Sequence, residues 1–265
     1  MANLFFPQLS SGVMAQYPIR KTRIERTVKN LLADGTLILY PDPNAARLIW
    51  QLAFEELSSQ DLSALSGHFN ACQGRLHAFT FIDPTENMLS NSANLLSGSW
   101  QIPSSVTLTA NVADPNGGQG AFMLTNNAQS SQEIGQTLMV PSSYQYCFSL
   151  YTSSAQPSSV SVIRRGSTSQ GVVPVPIGPQ WMRVVSSGQL ADSGTTLSAV
   201  ISLAPGQQIT LFGPQLEPQI SPSRYRPTLQ GGGVYANAHW GVDELPVSID
   251  APDLYSTAFS IEAAI

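Results

Sequence analysis

The chain has 265 residues, 42% of them hydrophobic but only 11% charged, with 20 Gly and 19 Pro; an average soluble domain is about 25% charged. Hydroxyls, amides and turn residues fill the gap, which predicts strands joined by loops around a real core and not a charged helical bundle. A net charge of −5 without a Lys/Arg cluster argues against nucleic-acid binding, and no apolar run suits membrane insertion.

The first residues, Met1 to Pro7, show neither the basic nor the long apolar stretch of a signal peptide. Synthesis in a cytoplasm is therefore expected, with Cys72 and Cys147 as free thiols in separate domains. Leu48, Trp50, Leu52 and Phe54 alternate with other residues and predict a half-buried strand. Ser58 to Asp61 offers a capping hydroxyl and a first-turn acid, and Leu62, Leu65, Phe69 and Cys72 recur at helical spacing until Gly74. His77, Phe79 and Phe81 then predict a strand, with His77 packed in its apolar face. Asp83 to Asn87 is a turn cluster.

From Leu89 to Thr228 the chain carries nine charged residues, a much lower density than in its flanks. Short alternating runs recur through this block. They are Val106 to Ala110, Ala121 to Leu124, Tyr144 to Leu150, Val160 to Ile163, Trp181 to Val185, Leu197 to Leu203 and Ile209 to Phe212. Seven or eight such strands with Gly/Pro turns predict an antiparallel sandwich or jelly roll. Gly231, Gly232 and Gly233 read as a hinge. Phe259, Ile261 and Ile265 alternate with Ser260 and Glu262, predicting a closing strand. The tail is too short to fold alone, so it should complete the sheet begun before the neutral block. The expected organisation is a neutral domain, residues 89–228, inserted into a charged one, residues 1–88 plus 229–265.

No catalytic constellation is legible. A glycosidase needs paired carboxylates, whereas Asp114, Glu133, Asp192 and Glu217 stand apart in sequence. Glu217 is better read as a structural hydrogen-bond acceptor. Asp114 and Asn116 in a Gly-rich turn could offer oxygens to calcium, but an Asp-Pro-Asn-Gly turn explains them without an ion. No enzyme activity, metal or cofactor is expected.

Asn94-Leu95-Leu96, Ser99-Trp100, Tyr146 to Tyr151, Trp181-Met182-Arg183-Val184 and Phe212 to Glu217 leading to Ser223 to Thr228 form an ordered pattern. It resembles the carbohydrate-binding-module type of jelly roll found in phage tail and tail-fibre proteins. Met182, Pro214 and Arg226 depart from that family's usual residues. The flanks, through Leu48 to Leu52, the capped helix and Phe79 to Pro84, are similar to tail-tip and distal-tail proteins. That resemblance implies a small β-rich (α+β) domain with one helix, interrupted by the jelly roll, in a chain that is mainly β. It also implies a structural role in a virion tail tip or baseplate. The outer domain would form a homo-oligomeric ring, six-fold favoured over three-fold, contacting tail tube, hub and other tail-tip proteins. The jelly roll would touch host-surface glycan; the alternatives are a purely architectural jelly roll or, third, a polysaccharide-degrading tail enzyme.

Sugar rings stack on aromatic faces, while guanidinium and amide groups bond their hydroxyls. Trp100, Tyr151, Arg164 and Arg165 are the candidate carbohydrate-binding residues, Tyr151 because its parity opposes that of Tyr146, Phe148 and Leu150. Trp181 and Tyr225, in the framework motifs, are expected in the core.

Overall fold

The computed structural model describes residues 4–265. Its first elements are β1 (Arg20–Leu31), β2 (Leu37–Leu57), α1 (Ser59–Cys72) and β3 (Phe79–Ile82). Then come β4 (Val106–Val112), β5 (Ala121–Asn126), β6 (Gln132–Leu138), β7 (Tyr146–Ser153) and β8 (Ser158–Arg165). They are followed by β9 (Gln170–Ile177), β10 (Met182–Gly188), β11 (Leu197–Leu203) and β12 (Gln208–Glu217). The last are β13 (Val234–Trp240), β14 (Ser248–Ala251) and β15 (Leu254–Ala264). Among the described residues the protein is mainly β, with antiparallel sheets and one helix. It divides into two compact units, Met1–Ile82 with Tyr235–Ile265, and Asp83–Val234.

In the first, outer unit the sheet order is β1-β2-β15-β13-β3, with β14 paired to β15. The alternation in β2 buries Leu48, Trp50, Leu52 and Phe54 on one face. β15 lies against it in the register Phe259↔Leu52, Ile261↔Trp50 and Ala263↔Leu48, so cross-strand partners share that face. Phe259 meets Phe6, Phe54 and Trp240, its centroid 4.4 Å from that of Trp240. The third inward place belongs to Ala263, not Ile265, which lies beyond the end of β15 and is 43% exposed.

Ser58 caps α1, its hydroxyl accepting from the Asp61 amide at 3.1 Å. The Asp61 carboxylate in turn accepts from the Ser10 amide at 2.7 Å, tying the N-terminal segment to the helix start. The helix ends at Gln73, which adopts the left-handed conformation, and Gly74 continues it with φ +63°. The inward stripe is Leu65, His68 and Cys72, with Leu62 and Phe69 at its half-buried margins. The buried histidine is thus His68. His77 is half-buried in the turn before β3, its amide donating to the Cys72 carbonyl at 3.0 Å, so it is outside the strand expected to hold it.

The second, inner unit is a jelly-roll sandwich of two sheets, β10-β7-β12-β5-β4 and β6-β11-β8-β9. Nine strands stand where seven or eight were expected, because β6 and β9 have weak alternation. Both are edge strands, which is why β9 tolerates Pro174 and Pro176. β7 begins at Tyr146, leaving Tyr144 outside it, and is buried on both faces except at Tyr151. Tyr146, Phe148 and Leu150 on β7 and Val160, Val162 and Ile201 on the opposing sheet are fully buried. Each such side chain contributes about 1.5–3 kcal/mol of transfer free energy.

The unit boundaries fall at Asp83 and Val234, outside the expected 89 and 228, because the two crossing segments bond to each other and to β12. The Asn87 side chain donates to the Pro214 carbonyl at 3.0 Å and accepts from the Leu216 amide at 3.1 Å. Asp83 donates to the Gly233 carbonyl, and Gly233 to that of Asn87, both at 2.8 Å. The glycine run is therefore a close crossing and not a hinge. A Cβ at Gly232 would stand 2.1 Å from the Met88 carbonyl oxygen.

Candidate functional site

The outward face of β7, β10 and β12 carries residues of one parity. Tyr151 is opposite Arg183 on β10 and Phe212 on β12, so these three side chains share that face. The Arg183 guanidinium carbon lies 5.3 Å from the Tyr151 ring centroid, and its Nη2 donates to the Ser149 hydroxyl at 3.0 Å. Tyr151 and Phe212 have ring centroids 6.1 Å apart. Tyr225 stands edge-on to Phe212 at 5.3 Å.

β12 delivers Tyr225 through the motif that closes the unit. Its pairing with β7 shifts between Phe212 and Gln215, where Gly213 takes φ +62°. A Cβ there would lie 3.1 Å from the Tyr225 ring, so glycine lets the ring rest on the backbone. Beyond the shift, buried Gln215 accepts from the Arg226 amide at 2.7 Å and donates to the Arg224 carbonyl at 3.3 Å. Buried Glu217 accepts from the Ser223 amide at 3.0 Å and its hydroxyl at 2.5 Å. These bonds hold the 223–226 segment over the sheet, and the Tyr225 hydroxyl bonds Ser92 at 3.1 Å. Cys147 lies beneath, where burial, with Glu217 alongside, pushes its thiol up to about 12. The arrangement is a half-exposed platform of three aromatic rings and a guanidinium flanked by hydroxyls. It can stack on the C–H face of a pyranose and donate hydrogen bonds to its oxygens.

Of the four residues expected from the sequence, only Tyr151 is here. Arg164 and Arg165 are neighbours on β8 and so point to opposite faces of its sheet. Arg164 is 4% exposed, between the two sheets. Its Nε donates to the Ser186 hydroxyl at 3.1 Å, its Nη2 to the Ser187 carbonyl at 2.7 Å and its Nη1 to the Gly188 carbonyl. A guanidinium spent on inter-sheet bonds cannot reach a sugar. Arg165 faces outward on the other sheet and binds Glu133 through two 2.7 Å bonds, holding that carboxyl below the usual range. Trp100 is buried, its Nε1 donating to the Asn91 carbonyl at 3.2 Å. It edges a hollow of about 340 Å³ lined mostly by apolar residues such as Leu95, Ile102 and Leu108, which offers a sugar few partners.

The platform residues missed were Arg183, Phe212 and Tyr225. Trp181 and Tyr225 are half-buried and not core. The parity that marked Tyr151 would have found Arg183 and Phe212 only with the strand register known.

Two further acids, Asp192 and Asp114, are spent on closing turns. Asp192 accepts from the Thr168, Ser169 and Gly194 amides and the Ser142 hydroxyl, which drives its carboxyl far below the ordinary range. Asp114 accepts from the amides of Gly120, Asn116 and Gly118, which hold it low, closing its own turn. Among the described residues no group of three or more metal-ligating side chains converges.

No family model and no curated protein matches the sequence. Similar solved structures include the enzymatically active domain of tailspike protein 4 of bacteriophage CBA120. It is 12% identical with a TM-score of 0.40, over 52% of this chain and 22% of that one, so this chain spans under a quarter of that structure's length. The C-terminal family 22 carbohydrate binding module of Clostridium thermocellum Xyn10B is 14% identical with a TM-score of 0.41, over 51% of this chain and 95% of the module. TmCBM61, solved with β-1,4-galactotriose, is 12% identical with a TM-score of 0.38, over 49% of this chain and 97% of that one. At such distance the likeness carries no argument about ligand or role.

Proposed function

We propose that the inner jelly roll binds glycan on the platform of Tyr151, Arg183, Phe212 and Tyr225. The observation that carries this is three half-exposed rings grouped with a guanidinium on one sheet face, held by buried bonds of Gln215 and Glu217. A contiguous apolar patch rimmed by polar groups is a common mark of an interaction site. We further propose that the chain is a structural part of a phage tail tip or baseplate, located in the virion tail, with the outer unit in a homo-oligomeric ring. Copies on one ring raise the effective concentration of weak sugar contacts, so adhesion comes from avidity.

The proposed role is binding without cleavage. A glycosidase needs a carboxyl with a raised pKa beside a second carboxylate. From β4 to β12 the acids are Asp114, Glu133 and Asp192, all held low by hydrogen bonds, and Glu217, which is bonded to Ser223.

Affinity electrophoresis of the full chain through gels containing soluble bacterial polysaccharides tests the reading. Retardation in at least one gel, without shortening of the polysaccharide, is the expected result. Migration unchanged in every gel would support the purely architectural alternative, and depolymerisation would support an enzyme.

A further inference from the structure

The inner unit holds five cationic side chains, all arginine, and three of them are spent within the protein. Arg164 serves the inter-sheet carbonyls, Arg165 is paired to Glu133, and Arg226 donates through Nη1 to the Thr85 carbonyl. Among the described residues Arg183 and Arg224 make no ion pair. Of these two, Arg183 stands on the platform.

A guanidinium has five N–H groups to satisfy. Among the described residues Arg183 finds one acceptor, the Ser149 hydroxyl on Nη2. Its Nε is buried without a partner, and its Nη1 donates to no protein group. Buried donors are paired almost everywhere in folded proteins, so this half-buried cation, with one neutral acceptor, is charge left uncompensated. It is also held in place, its guanidinium carbon 5.3 Å from the Tyr151 ring centroid, and a stacked guanidinium keeps its plane and its fork.

The acids nearest the platform are already committed. Glu217, opposite Cys147 in the register, is buried and accepts from Ser223 and Gln219. Asp114 lies on the β5 side of Phe212, beside Gly120, and accepts from three backbone amides. An acceptor for Arg183 must therefore come with the ligand. Phe212 stands between Tyr151 and Tyr225, its centroid 6.1 and 5.3 Å from theirs. A hexuronic acid carries its carboxylate at the edge of the ring, so a sugar lying on Phe212 can turn that group toward the guanidinium. A neutral hexose offers one hydroxyl there, whereas a carboxylate accepts two parallel charge-assisted bonds.

We propose that the platform selects acidic saccharides, and that Arg183 reads the carboxylate of a uronic acid or other carboxylated sugar. This rests on the reading of the platform as a glycan site and names the class of sugar it would take.

Affinity electrophoresis of the full chain through gels holding alginate, polygalacturonate, hyaluronan or polysialic acid tests this. Each polymer is run beside its carboxyl-reduced form, with dextran sulfate as a general anion. Wild type should be retarded by at least one acidic polymer at least tenfold more strongly than by its reduced form, and less so as salt rises. Arg183→Gln gives up one hydrogen bond, should melt as wild type, and should close that gap, whereas Arg165→Gln, off the platform, should leave it intact. The comparison of each polymer with its reduced form needs no variant, so it decides the matter even where Arg183→Gln folds poorly. Equal retardation by acidic and reduced forms, a gap that survives Arg183→Gln, or equal retention by dextran sulfate would overturn the acid recognition and leave glycan binding standing. No retardation in any gel, acidic or neutral, would overturn both.

Discussion

His68 should make the outer unit lose stability in mild acid. Its ring sits among Phe6, Phe79 and Trp240, with the Phe79 centroid 4.7 Å away. Its Nδ1 accepts from the Trp240 indole at 3.2 Å, and the Cys72 sulfur lies 3.7 Å from Nε2. Burial lowers its pKa from the ordinary 6.5 to about 4. The unfolded chain therefore binds the proton more readily than the folded one between these values. Stability from this group is complete above about pH 6.5, falls as the pH drops toward 4, and changes no further below. Each pH unit of difference is worth about 1.4 kcal/mol, so the full loss is on the order of 3 kcal/mol. Urea unfolding at several pH values from neutral to 4.5, followed by tryptophan fluorescence, should show the transition of wild type moving to lower urea. His68→Gln keeps a hydrogen-bond acceptor but cannot titrate, so its transition should barely move over the same window. An imidazole resonance titrating near 4 by NMR would check the cause independently. Equal pH slopes in wild type and variant would refute the reasoning.

Phe259→Ala should cost about 3–5 kcal/mol by removing a buried ring, whereas Glu262→Ala on the opposite parity should cost at most about 1 kcal/mol. The latter figure reflects the exposed pairs of Glu262 with Arg75 at 2.8 Å and Arg47 at 3.7 Å, and denaturant midpoints compare the two. Arg164→Met should destabilise the jelly roll by about 1–3 kcal/mol by stripping two carbonyls and a hydroxyl of their donor, while Arg165→Met should cost under about 1 kcal/mol; thermal melts of both variants read the difference. Gly232→Ala should destabilise the inner unit by at least about 1–3 kcal/mol, since its Cβ would overlap the Met88 carbonyl. An unchanged melt there would restore the hinge reading.

Elements with one buried face were legible in the sequence. β2 and β15 alternate because one side meets the core, and α1 announces itself by Ser58 and its apolar spacing. β1 was not legible because nearly all its side chains are exposed, leaving no period to read. β6 and β9 hide for a related reason, since sheet edges admit the Gly and Pro that sequence reasoning takes as turns. The platform was half legible. The closing motif could be located, but not its action, which is to lay Tyr225 on Gly213 beside Phe212. Arg164 and Arg165 looked like a pair because adjacency in sequence hides the alternation of a strand.

The most direct test of glycan recognition is a glycan array probed with the full chain, wild type beside Tyr151→Ala, Phe212→Ala and Arg165→Ala. Wild type and Arg165→Ala should light the same spots, and the two platform variants should lose them while melting as folded proteins. Spots that survive both platform substitutions, or an array that stays dark for wild type, would contradict the account.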